Sequence, residues 1–102
     1  METKMIWANL VSHDLQKTIK FYSELGFKQK GKETEELVSF IYGENNFVIN
    51  FFIPKRFDNA MRGKVVDAKT ENEIIFSLSA ESREKVDQWY EIVQKAGAKI
   101  FS

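Results

Sequence analysis

From Met5 to Ser12 the chain is almost continuously apolar, and after His13-Asp14 the rhythm changes. Leu15, Ile19, Tyr22 and Leu25 then recur every three or four residues, which places them on one stripe of a helix. The Asp14 carboxylate suits the helix start, where it can accept from the free N–H groups of the first turn. Gly26 suits the stop, because the backbone there turns left-handed at no steric cost. A strand followed by a helix of about three turns is predicted.

Three runs with a period of two come next. Phe27 to Lys32 predicts a strand, Leu37 to Tyr42 a second, and Phe47 to Ile53 a third that ends at Pro54, with Gly43 to Asn46 as the intervening turn. In the third run Phe47, Ile49, Phe51 and Ile53 share one face, and Val48, Asn50 and Phe52 share the other. Both faces are mostly apolar, so one is expected on the helices and the other against a cavity or a partner. Lys55 to Asn72 has no period and reads as a long connection, either a mobile connector or a lid over a site. Glu73 to Ser79 is again strand-like. Ser82 suits a second helix cap, Val86, Trp89, Tyr90, Val93 and Ala96 form an apolar stripe, and Gly97 closes it. Lys99 to Phe101 resembles the opening of a further strand.

The two strand–helix units match each other. Trp7 to Ser12 lies over Glu73 to Leu78 at an offset of 66 residues, Phe21-Tyr22 over Trp89-Tyr90, and Gly26-Phe27-Lys28 over Gly97-Ala98-Lys99. The second helix is about one turn longer. If the second unit repeated the first in full, it would run on by roughly 25 to 35 residues of strand. The expectation is that this piece lies on a further segment, or that a partner supplies the sheet edge.

Composition narrows the function classes. The chain has 102 residues, room for a single domain, with 43% hydrophobic and 29% charged residues. Nine Phe, three Tyr and two Trp allow an aromatic-lined core or cavity. Fifteen basic and fifteen acidic side chains cancel, so the footprint of a nucleic-acid binder is absent. Lys28, Lys30 and Lys32 read as a solvated strand face. There is no Cys, hence no disulfide and no thiolate chemistry, which fits a cytoplasmic protein. No apolar run is long enough to span a membrane, and the opening Met1-Glu2-Thr3-Lys4 lacks the apolar stretch expected of a signal peptide.

The run Asn9-Leu10-Val11-Ser12-His13-Asp14-Leu15, then Phe21-Tyr22, then Leu25-Gly26-Phe27, resembles the opening of the glyoxalase, bleomycin-resistance and extradiol-dioxygenase (vicinal oxygen chelate) superfamily. Glu73 to Gly97 looks like the start of that family's second module, and Ser82-Arg83-Glu84-Lys85-Val86-Asp87 is similar to members described as lactoylglutathione lyases. The resemblance implies an α+β fold of paired βαβββ modules curled around a cavity, often with a divalent metal, and often in a dimer. On this chain it implies one glyoxalase-like domain over residues 1–102. Residues 1–54 form the first module, 55–72 the connecting loop, and 73–102 the start of a second module that stops after its helix.

The family's metal-ligand positions carry over poorly. The first-strand position is Trp7, whose indole has no lone pair to give; the last strand of the first module offers Asn50, and the second module's first strand offers Glu73. Asn50 and Glu73 are thus weak metal candidates, no metal site and no cofactor is assigned, and a divalent metal is possible but disfavoured, because a catalytic divalent site usually needs three protein ligands. His13, the only histidine, is read either as an exposed or capping residue or as a catalytic one. No catalytic residue is assigned. Ser77 and Ser79 have no evident base.

Alternation gives the candidate ligand-binding residues: Trp7, Asn9, Val48, Asn50, Phe52, Glu73 and Ser77, with Val11 and Ile75 on the same faces. These would line either a pocket of the usual apolar make-up with a few polar groups, or a collapsed core or dimer interface. Ala8, Leu10, Ile74, Phe76 and Leu78 are expected against the two helices, and Trp89 and Tyr90 in the core. Three functions remain open. The first is a dimeric protein that binds an aromatic or amphipathic small molecule in a cavity. The second is a metal-dependent lyase or dioxygenase whose remaining ligands come from elsewhere. The third is a module without activity. The partners expected are a small-molecule ligand and a second copy of the chain, with no nucleic acid and no membrane.

Overall fold

The computed structural model describes residues 2–64, 66–71 and 73–100. The chain divides into two compact units, Met1–Val65 and Val66–Ser102.

The first unit opens with β1 (Ile6–Val11) and α1 (Leu15–Glu24). Asp14 is the N-cap: the Lys17 backbone N–H donates to its Oδ1 at 3.1 Å. Behind it Ser12, which is buried, accepts the Asp14 N–H through its Oγ. The helix ends in a left-handed Gly26, with the Phe27 N–H donating to the Tyr22 carbonyl and the Gly26 N–H to that of Ser23. These two bonds satisfy carbonyls that the last turn would otherwise leave open.

The strands β2 (Lys28–Gln29), β3 (Leu37–Tyr42) and β4 (Phe47–Phe52) follow. The sheet order is β1-β4-β3-β2, with β1 parallel to β4 and the other pairs antiparallel. The predicted strand Phe27–Lys32 is therefore much shorter than its pattern. Lys30 still donates its N–H to the Ser39 carbonyl, but Gly31 takes a positive φ and turns the chain away.

One sheet face carries Ala8, Leu10, Val38, Phe40, Tyr42, Phe47, Ile49 and Phe51, and it packs on Leu15, Ile19 and Tyr22 of α1 and on Phe27. Phe40 is wholly buried. Tyr22 joins the helix to the sheet through ring contacts with Phe40, Tyr42 and Phe51, at centroid distances of 5.0 to 6.3 Å. Aromatic pairs at such spacing add to the burial itself. Burial raises the Tyr22 and Tyr42 hydroxyls above the usual tyrosine range, because it disfavours the charged phenolate.

Pro54 does more than end a strand. A helix, α2 (Pro54–Met61), begins on it inside the segment read as a loop, and it packs against β1. Proline is favoured at the first helical position, where its fixed φ is already helical and its missing N–H is not needed. Arg62 ends the helix in the left-handed conformation.

The second unit holds turns near Asp67 and then α3 (Arg83–Lys95). This helix repeats the construction of α1. Ser82 accepts from the Lys85 N–H, Gly97 is left-handed, and the Gly97 and Ala98 N–H groups donate to the Gln94 and Val93 carbonyls. The repeat seen in the residues is thus a repeat of helix starts and stops.

The strand before α3 does not form. Residues 73–80 form no strand, are exposed and have no ladder partner among the described residues. Ile74, Ile75, Phe76 and Leu78, expected to be covered by the two helices, are instead exposed, Ile75 to 91%. Tyr90 is likewise exposed and Trp89 only partly buried, so neither is a core residue. A strand's N–H and C=O groups need a neighbouring strand, and residues 73–80 have none in their own unit. Of the expected strand at Lys99–Phe101, the described residues Lys99 and Ile100 show no strand, and Phe101 lies outside the described residues. No helix among the described residues is long and apolar enough to cross a membrane.

Candidate functional site

The sheet face of the first unit opposite α1 is built in three rows. Trp7, Val48 and Ile41 stand side by side across β1, β4 and β3. Asn9, Asn50 and Ser39 form the next row, and Val11, Phe52 and Leu37 the third. Five of the residues expected to line a cavity, Trp7, Asn9, Val48, Asn50 and Phe52, are therefore brought together. The alternation within β1 and β4 places them on one face, and the parallel register aligns them.

The middle row is a hydrogen-bonded ladder. Ser39 Oγ donates to Asn50 Oδ1 at 2.6 Å, and Asn50 Nδ2 donates to Asn9 Oδ1 at 3.0 Å. The Asn50 amide is used at both ends, which fixes its orientation. Its apolar neighbours in the flanking rows leave few other partners for it.

The outer rows each hold an aromatic ring under a cation. Lys30 Nζ lies 5.6 Å from the centre of the Trp7 ring, and the Arg56 guanidinium lies 5.9 Å from that of Phe52. Trp7 is on β1, while Lys30 stands opposite Ser39 beyond β3. Three strand spacings, about 14 Å, separate their backbones. Both side chains must therefore lie across the intervening strands to meet. This accounts for Val48 being buried on an otherwise open face, while Trp7 itself stays 51% exposed.

Ser39, Lys30 and Arg56 were not among the candidates from the residue pattern. Ser39 alternates with Leu37 and Ile41 and could have been placed on this face, but its link to Asn50 needs the register. Lys30 read as solvated, and Arg56 fell within the supposed loop. Glu73 and Ser77 belong to the second unit, where both are exposed. That unit has a shallow, open hollow at the start of α3 lined by Ser79, Ala80, Glu81, Lys85 and Trp89. His13 is exposed beyond the end of β1.

The donor set does not suit a divalent metal. Trp7 offers no lone pair, and the Asn50 oxygen already accepts from Ser39. Among the described residues no three His, Cys, Asp or Glu side chains converge. A catalytic site of this kind usually needs three such ligands.

A βαβββ unit with its helix on one face of the sheet and a partly polar face on the other defines a small α+β module. The Glyoxalase/Bleomycin resistance protein/Dioxygenase superfamily model matches residues 4–101, and the chain belongs to that superfamily. It is similar to the solved structure of a hypothetical protein from S. aureus, with 30% identity and a TM-score of 0.77 over 95% of this chain and 71% of that one. It is also similar in fold to lactoylglutathione lyase from Agrobacterium tumefaciens, with 17% identity and a TM-score of 0.56 over 92% of this chain and 70% of that one. No curated protein sequence matches it.

Proposed function

We propose that this protein binds an aromatic or amphipathic small molecule on the face of the first-unit sheet that carries Trp7, Asn9, Val48, Asn50 and Phe52. The observation that carries the reading is the Ser39–Asn50–Asn9 ladder set between rows that hold the half-exposed Trp7 and the partly buried Phe52. Apolar and aromatic surface supplies most of the affinity of a small-molecule site, and a few fixed polar groups orient the ligand. The reading includes a cytoplasmic homodimer. The exposed Ile74, Ile75 and Leu78 are the side chains that a second copy would cover, and light scattering of the purified protein tests that part.

The alternative of a metal-dependent lyase or dioxygenase would need ligands from a partner or a further segment. No observation in the described residues favours it over binding.

The binding test uses a Trp89→Phe variant, in which Trp7 is the sole indole. Aromatic compounds that bind should change Trp7 emission saturably. Equilibrium dialysis should show the affinity falling about tenfold on Trp7→Ala, the loss expected when one aromatic contact is removed. Unchanged affinity in Trp7→Ala would place the ligand elsewhere and refute the reading.

A further inference from the structure

We infer that the molecule taken by this face is an aromatic acid, a flat ring system carrying a carboxylate or a similar anionic group. The inference rests on the proposed binding face and names the class of its ligand.

Charge is distributed unevenly on the protein. The whole chain is neutral, with fifteen basic and fifteen acidic side chains. Yet the strand residues of this face include no acid. Its three rows are Trp7–Val48–Ile41, Asn9–Asn50–Ser39 and Val11–Phe52–Leu37. At its β2 side stand Lys28, opposite Ile41, and Lys30, opposite Ser39. From α2 comes Arg56, over Phe52. Neither Lys30 nor Arg56 has an ion-pair partner among the described residues; each rests on a ring. A cation in that position has a weak partner and can exchange it for a stronger one, since a carboxylate binds it by a charge-assisted hydrogen bond.

The geometry lets one ligand use both features. The Trp7 row and the Phe52 row lie four residues apart along the strands, about 13 Å. A ring system of two fused rings fits within that span, over the amide ladder. If Lys30 swings from the Trp7 ring to the ligand's carboxylate, it exposes the indole face on which the ligand's rings then stack. The neutral amides of Asn9 and Asn50 add hydrogen bonds without opposing charge. A cationic aromatic would meet the like charges of Lys28, Lys30 and Arg56, and no acid among the strand residues of the three rows.

The test compares three probes of one shape: 2-naphthoate, 2-naphthylmethanol and 2-naphthylmethylammonium. Each is titrated by equilibrium dialysis against the full chain and against the Lys30→Gln and Arg56→Gln variants. Both changes fall on exposed side chains and leave the fold intact, which circular dichroism checks. Naphthoate should bind about tenfold more tightly than the alcohol, and the ammonium probe more weakly than either. At least one of the two variants should remove most of that preference, read as the ratio of naphthoate to alcohol affinity within the same variant. If the alcohol binds as tightly as naphthoate, or the preference survives in both variants, the inference is overturned while the binding face stands. If none of the three binds, the proposed function falls as well.

Discussion

Asn50→Ala should destabilise the first unit by about 1 to 2 kcal/mol. Two bonds are lost, Ser39 Oγ to Asn50 Oδ1 at 2.6 Å and Asn50 Nδ2 to Asn9 Oδ1 at 3.0 Å. A typical side-chain hydrogen bond contributes about 0.5 to 1.5 kcal/mol net. Ser39 and Asn50 are partly buried, so their bond belongs in the middle of that range, whereas Asn9 is exposed and water can replace its bond at small cost. Asn9→Ala alone should therefore cost only about 0.5 kcal/mol. The double variant should cost about what Asn50→Ala costs, because the second change removes a bond that is already broken. Urea unfolding followed by Trp7 emission in the Trp89→Phe background reports on this unit. Strict additivity of the two changes, or an Asn50→Ala protein as stable as the parent, would show that the ladder is not a coupled network.

Phe40→Ala, which empties the space of a wholly buried ring, should cost about 3 to 5 kcal/mol by urea unfolding; a loss below about 1 kcal/mol would contradict the packing. Gly26→Ala and Gly97→Ala should each cost about 1 kcal/mol, measured by thermal melting. A Cβ at either position meets open space, so the cost comes from the positive φ of 94° and 98° alone, and Gly→Asn at the same sites should cost less. Stability should decline as pH rises above the ordinary tyrosine value of 10.0, since burial holds Tyr22 and Tyr42 protonated in the folded state while the unfolded chain loses those protons. Tyr42→Phe should make that decline above pH 10 shallower. Near neutral pH it should leave the urea midpoint unchanged or raised, because the Tyr42 hydroxyl is buried with no hydrogen-bond partner among the described residues.

Much of the first unit was legible in the residues because each feature there is local. Asp14 and Gly26 frame α1, and the alternation in Phe47–Ile53 sorts the core face from the open one; in the second unit Ser82 and Gly97 frame α3 in the same local way. The candidates Trp7, Asn9, Val48, Asn50 and Phe52 followed from that alternation. What failed depended on pairing or on context. Periodicity cannot tell a strand with a neighbour from one without, so Glu73–Ser79 read as a strand although nothing in its unit pairs with it. The same limit lengthened β2, where Gly31 cuts the ladder short. The helix at Pro54 was hidden because proline was read only as an ending, although Phe57 and Met61 follow it on one helical side. Lys30 and Arg56 could not be assigned, since their places over Trp7 and Phe52 arise from strands and a helix that meet only in three dimensions.

The parallel pairing of β1 with β4 bears on the order in which this face comes together. Asn50 meets Ser39 across a hairpin with a four-residue turn, but it meets Asn9 across 41 residues of chain. Closing a short hairpin takes microseconds, whereas bringing back a distant segment carries a larger entropy loss before any contact compensates it. The Ser39–Asn50 half of the ladder is thus expected early in folding, and β1, with Trp7 and Asn9, is expected to dock late. A conservative change at Asn9 should speed unfolding and leave the folding rate nearly untouched, while one at Ser39 should slow folding. The proposed binding face would then be among the last parts of the unit to exist and among the first to open, which makes Trp7 emission a clock for its completion.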